Sequence, residues 1–159
     1  MPKSEEKATR IANRRRKPAF GILPDLIGYN LRQAQVAVFL DFAATVDGHD
    51  ITPGQFGVLI LIEANPGLNQ SQLGVAMGVD RSTVVAVIDR LEARRLVARR
   101  PAPQDRRSYA LELTPEGSRI LAELRPEVLA HEAHIAADLS PAEQRTLIDL
   151  LKRLCKPKR

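Results

Sequence analysis

The sequence predicts a mainly α-helical chain with a small β-hairpin wing, on three observations. Apolar residues recur at helical spacing over several long stretches. Helix-start signals, "TPGQ", "NQSQ", "TPEG" and "SPAE", stand ahead of four of them. The segment from Leu96 to Thr114 instead alternates apolar and polar residues about a proline-bounded turn, the signature of two paired strands. A chain of 159 residues, 44% of them hydrophobic, is long enough for one globular domain with a real core. Four Phe, two Tyr and no Trp make that core aliphatic.

Residues 1–17 lack apolar periodicity and end in "RRRK", so the N-terminus reads as a basic arm, with order beginning near Ile22. Pro24 suits a first helical turn. Leu31, Val38, Phe42 and Val46 then mark a long first helix up to "DGHD". Thr52, Pro53 and Gln55 supply an N-cap, an N1 proline and a capping-box partner for a short second helix that "NPG" stops. Asn69 and Gln72 cap a third helix, Gly78 provides a left-handed terminus, and Asp80 caps a fourth two residues later. Two short helices so tightly joined must cross steeply. Leu73, Met77, Val79, Val84 and Val87 are expected to share a small core, with Gly74 permitting the approach. Thr114 opens a long helix with a kink expected near Pro126, and Ser140 caps the last, which carries Leu147, Leu150, Leu151 and Leu154. The predicted order is α-α-α-α-β-β-α-α, a winged helix-turn-helix flanked by terminal helices.

Charge points to an anionic partner. The net charge is +5, and the basic residues cluster: seven from Lys3 to Lys17, eight from Arg81 to Arg107, five from Lys152 to Arg159. On a helical wheel Val84, Val87, Ile88 and Leu91 form one buried face of the fourth helix, while Ser82, Ala86, Asp89 and Ala93 lie opposite. Small outward residues let a helix descend into a major groove. There Ser82 and Thr83 can meet base edges and Val85 a thymine methyl, while Arg81 and Arg90 sit over phosphates. Ser71 and Gln72, at a helix N-terminus, favour a further phosphate, and Arg106 and Arg107 at the wing tip reach the minor groove or backbone. The plainer reading is a solvated surface. Asp89 favours it, unless an arginine such as Arg90 neutralises that carboxylate.

Other classes fit less well. "HEAHI", residues 131–135, misses the zinc-protease spacing, so His131 and His134 read as surface histidines. No catalytic residue, metal site or cofactor is expected. The single Cys155, flanked by Lys152, Arg153 and Lys156, leaves a thiol redox-sensing regulator as an alternative, and a non-specific architectural DNA binder is another. No apolar run approaches a membrane span and no signal-peptide core follows the basic N-terminus, which predicts a cytoplasmic protein.

The segments "DRSTVVAVIDRLEARRLVARR" and "DRRSYALELTPEG" resemble the MarR family of transcriptional regulators, and the likeness runs from about Leu26 to Leu154. Ala102 departs from it, at a position where the family commonly has Asp. The resemblance implies a homodimer built from the first and the last two helices, recognition of palindromic double-stranded DNA, and release by a small-molecule effector. It divides the chain into an arm (1–21), an N-terminal dimerisation helix (22–51), the winged DNA-binding domain (52–113) and C-terminal dimerisation helices (114–159).

An effector pocket is expected where the dimerisation helices meet the winged domain. Tyr29, Arg32, Phe39, Phe42, His49, Phe56 and Ile60 are the candidates. Arg32, the sole Lys or Arg between Lys17 and Arg81, suits an acidic group, while each phenylalanine taken singly fits ordinary core packing better than a ligand contact. "GYNLRQAQVAVF" with "TPGQFGVL" is also similar to the branch of the family that senses aromatic acyl-CoA thioesters. That likeness implies an aromatic acid or its thioester as effector, a repressor as the regulator, and Arg14, Arg15 and Arg16 as partners of the nucleotide phosphates, whereas the plainer reading of the same arm is an aid to DNA binding.

Overall fold

The computed structural model describes residues 18–46, 48–102 and 105–155, the side chains of residues 102 and 105–108 excepted. After a 3-10 turn, Leu23–Asp25, come helices α1 (Ile27–Thr45), α2 (Pro53–Ala64), α3 (Gln70–Met77) and α4 (Arg81–Ala93). Strands β1 (Val97–Ala102) and β2 (Asp105–Leu113) follow, then α5 (Pro115–Ile135) and α6 (Pro141–Leu154). The predicted order holds throughout. The chain divides into two units, Met1–Ala37 and Val38–Arg159.

In the first unit Pro24 starts the 3-10 turn rather than the long helix. Leu26 is extended (φ −92°, ψ 126°), so the α-helix begins only at Ile27. The Asn30 amide satisfies the carbonyls this break exposes, donating to Pro24 (2.8 Å) and Leu26 (2.9 Å). Phe20 and Tyr29 pack with ring centroids 6.3 Å apart.

The second unit is organised by its caps. Thr52 with Gln55, Asn69 with Gln72 and Ser140 with Glu143 form reciprocal capping boxes, and Asp80 and Thr114 cap α4 and α5. Gly78 takes the left-handed conformation (φ 64°) between α3 and α4. The helices then meet closely: a Cβ on Gly74 would lie 3.2 Å from Val84 Cγ2. Val79 departs from expectation. Its side chain is exposed, and its backbone makes the joint instead, the N–H donating to the Gly74 carbonyl (3.1 Å).

Leu59, Leu73, Ile88, Leu91, Leu111, Leu121 and Leu124 are fully buried and draw α2, α3, α4, β2 and α5 into one aliphatic core. Burying a leucine contributes about 1.5–3 kcal/mol, so this seam fixes the helix pair more firmly than any surface contact. The strands pair antiparallel from Val97↔Leu113 to Pro101↔Tyr109, with an irregularity after Pro101. Leu111 N–H donates to the Leu68 carbonyl (2.8 Å), which ties the wing to the residues just ahead of α3. Helix α5 continues through Pro126, and α6 contains no buried residue.

Candidate nucleic-acid interface and ligand hollow

The buried stripe of α4, Val84, Ile88 and Leu91, turns the opposite face outward. Arg81, Ser82, Thr83, Ala86 and Arg90 are exposed there, as the periodicity predicts, whereas Val85 is half-buried at the edge of the face. Ser71 and Gln72 are exposed in the first turn of α3. The Gln72 side chain is engaged, however, its Oε1 accepting from Asn69 N–H (3.0 Å) in the capping box. The side chains of Arg106 and Arg107 lie outside the described residues, though both backbones belong to β2.

Two features of this face went unforeseen. Asp89 is neutralised, but by Arg99 of β1 (2.5 Å) rather than by the neighbouring Arg90. The same guanidinium also binds Glu92. Arg99 thereby clamps the strand to α4 and removes the charge objection to an anionic partner. Asp80, beyond capping Thr83 N–H, accepts the hydroxyl hydrogens of Ser82 (2.5 Å) and Thr83 (2.9 Å). The Ser82 hydroxyl, then the Thr83 N–H, hold its carboxyl well below the usual carboxylate range. The Asp80 arrangement is readable in sequence, since an N-cap acid followed by hydroxyls two and three residues on is a local pattern. The Arg99 contact depends on how β1 folds back.

Apart from that face, a hollow of about 600 Å³ is lined by Phe39, Phe42, Ala43 and Val46 at the end of α1, by the loop residues Gly48, Asp50 and Ile51, and by Thr52, Pro53 and Gly54 at the start of α2. Of the expected ligand residues it gathers Phe39, half-exposed, and Phe42, buried. Phe56 stands behind Phe42 (centroids 6.4 Å), and Ile60 packs against the core. The His49 side chain turns to Glu127, with Nε2 3.4 Å from Oε1. Tyr29 and Arg32 belong to the first unit, where Arg32 donates to Gln35 (3.2 Å); Arg14, Arg15 and Arg16 lie outside the described residues.

The hollow is connected to two other elements. The Arg94 guanidinium, at the C-terminus of α4, donates to the carbonyls of His49 (2.6 Å) and Asp50, and Asp50 is held at φ +49°. Phe42 meets the His131 ring edge-on at 5.4 Å. His131 corrects an expectation: it is buried, not on the surface, with Nδ1 2.6 Å from Asp41 Oδ2. His134 is exposed and meets the other oxygen at 2.7 Å. These bonds, His131 first, hold the Asp41 carboxyl below its ordinary value. The Nδ1 atom of each ring faces its own oxygen of the Asp41 carboxylate, and no group of three or more His, Cys, Asp or Glu side chains among the described residues could hold a metal ion. Cys155 is exposed at the end of α6, and no described helix is long and apolar enough to cross a membrane.

The sequence pattern of the MarR family matches residues 49–108, from the loop of the hollow into the second strand of the wing. A protein of Thauera aromatica assigned as transcriptional regulator of the hcr operon is 44% identical over 88% of this chain and 90% of its own. Among solved structures, the transcriptional repressor CouR bound to a 23-mer DNA duplex is 37% identical, covers 89% of this chain and all of its own, and superposes with a TM-score of 0.83. CouR bound to p-coumaroyl-CoA gives 35% identity, the same coverage and a TM-score of 0.82. With its tight helix pair, its hairpin wing and these relatives, the chain belongs to the MarR family of transcriptional regulators.

Proposed function

We propose that the protein is a homodimeric repressor that binds a palindromic double-stranded DNA operator and leaves it when an aromatic acid, or the CoA thioester of one, binds. The observation that carries this reading is the outer face of α4. Small and hydroxyl residues lie between Arg81 and Arg90, and the one carboxylate among them is neutralised by Arg99. Such a face fits a major groove, with Ser82, Thr83 and Val85 against base edges, Ala86 allowing close approach, and Arg81, Arg90, Ser71, Arg106 and Arg107 toward phosphates. The exposed Leu147, Ile148, Leu150 and Leu154 of α6 support assembly, because a lone chain leaves that apolar face in water. The hollow beside Phe39 and Phe42 suits an aromatic group, and its size lies within the range of small-molecule sites. The CouR complexes support both halves, one with DNA and one with an aromatic acyl-CoA. A protein with these partners acts in the cytoplasm beside its DNA.

Footprinting at about 0.15 M salt, where non-specific binding is screened, tests the proposal. The expected result is protection of a pseudo-palindrome with half-sites about one helical turn, ~10 bp, apart or a multiple of it, abolished by p-coumaroyl-CoA or p-coumarate. Protection without sequence preference would make the protein an architectural binder instead. A footprint indifferent to both compounds would remove the aromatic effector.

A further inference from the structure

The Asp80 cap has a consequence for which bases the helix can read, given the reading of α4 as the base-contacting helix. Oδ1 accepts from Thr83 N–H (2.9 Å) and from the Ser82 hydroxyl (2.5 Å); Oδ2 accepts from the Thr83 hydroxyl (2.9 Å). A hydroxyl has one hydrogen and two acceptor lone pairs. Both hydroxyls have therefore committed their hydrogen to Asp80, and toward solvent, where both residues are exposed, they offer lone pairs only. The bonds are charge-assisted, hence stronger than the neutral bonds a base would offer in exchange.

That polarity sorts the possible partners. Phosphate oxygens accept and do not donate, so a hydroxyl fixed this way gains nothing from the backbone of a duplex. In the major groove guanine O6 and N7, adenine N7 and thymine O4 accept, whereas adenine N6 and cytosine N4 are amino donors. We infer that Asp80 fixes the Ser82 and Thr83 hydroxyls as acceptors that select the amino groups of adenine or cytosine, which makes Asp80 a specificity-determining positioning residue acting through its neighbours.

The test uses the full-length protein and its selected operator, with single functional groups deleted from the DNA. Adenine is replaced by purine and cytosine by 2-pyrimidinone to remove amino groups, and purines by their 7-deaza forms to remove N7. Each duplex is titrated with wild type, Ser82→Ala, Thr83→Val and Asp80→Asn, and thermal unfolding of each variant checks that the fold is kept. Loss of one amino group should weaken wild-type binding about tenfold, and the matching hydroxyl-deleted variant should lose nothing further, as coupled partners require. Asparagine caps as well as aspartate. Its Oδ1 retains Ser82 and the Thr83 N–H, while its amide nitrogen, standing where Oδ2 was, donates to Thr83 Oγ and releases the threonine hydrogen. In Asp80→Asn the Thr83 coupling should therefore move from an amino group to an acceptor such as N7, and the Ser82 coupling should stay. Coupling of either wild-type hydroxyl to an N7, or unchanged coupling of Thr83 in Asp80→Asn, would overturn the inference alone. Unaltered operator affinity in both Ser82→Ala and Thr83→Val would remove the base-reading role of α4 and the inference with it.

Discussion

At Gly117 a missing Cβ decides how the wing meets α5. An added Cβ would stand 1.9 Å from the Leu96 carbonyl oxygen, and the obstacle is backbone, which cannot swing aside. Thr114 brings the two so close: its hydroxyl donates to the Arg95 carbonyl (2.5 Å) and accepts from Gly117 N–H (3.0 Å), and its own N–H donates to Leu96 (3.1 Å). Gly117→Ala should lower stability by at least about 2 kcal/mol in denaturant unfolding, in the manner of an overpacked core. Gly54→Ala, with open space around the new methyl, should be neutral or stabilising by about 0.5 kcal/mol. Equal effects at the two positions would show that α5 slides to make room. Residue by residue, legibility followed sequence distance. Asp80 reads correctly as a cap because its partners lie within three positions, whereas Asp41 finds His131 ninety residues away, so nothing in "HEAHI" marks that histidine as buried.

The helices after α1 were the most readable elements, since each of those five carries its own start signal: Thr52, Asn69, Asp80, Thr114 and Ser140 all cap as their side chains allow. Pro24 misled because the same preference suits a 3-10 turn, and only the extended Leu26 shows that the α-helix has not begun. What local signals do not carry is the contact between elements, and α4 depends on one. Arg99 reaches from β1 to both Asp89 and Glu92, acids on α4 itself. Arg99→Ala should weaken operator binding about tenfold, because it leaves two carboxylates uncompensated beside the phosphates. Stability should fall by only about 1 kcal/mol, since Asp89 and Glu92 are well exposed to solvent. Adding Asp89→Asn and Glu92→Gln to that variant, which neutralises both acids, should restore most of the lost affinity in an anisotropy titration. Failure of this rescue would mean that Arg99 itself contacts DNA.

Across the second unit, the wall of the hollow and the end of α4 are one hydrogen-bonded piece. The loop that contributes Gly48, Asp50 and Ile51 to the hollow also presents the carbonyls of His49 and Asp50 to Arg94, at the C-terminus of α4. Asp50 sits in the left-handed region (φ +49°), which few non-glycine residues adopt. A compound that shifts the loop must therefore either pull Arg94, and α4 with it, or break both bonds. Coupling between two sites is a free energy, and it requires an element that both sites bias. Arg94, bonded to the loop and standing at the end of α4, is the candidate for such an element. Arg94→Ala should keep specific operator binding in the absence of effector and should still bind p-coumaroyl-CoA, since the residue lines neither surface. The ratio of operator affinities without and with saturating thioester should shrink by about fivefold, roughly 1 kcal/mol of coupling. Arg94→Lys should fall between the two, because a single ammonium cannot fork to both carbonyls as a planar guanidinium does. An unchanged ratio in Arg94→Ala would show that the signal leaves the hollow by another route, for which the contact of Phe42 with His131 on α5 offers the next variant to titrate.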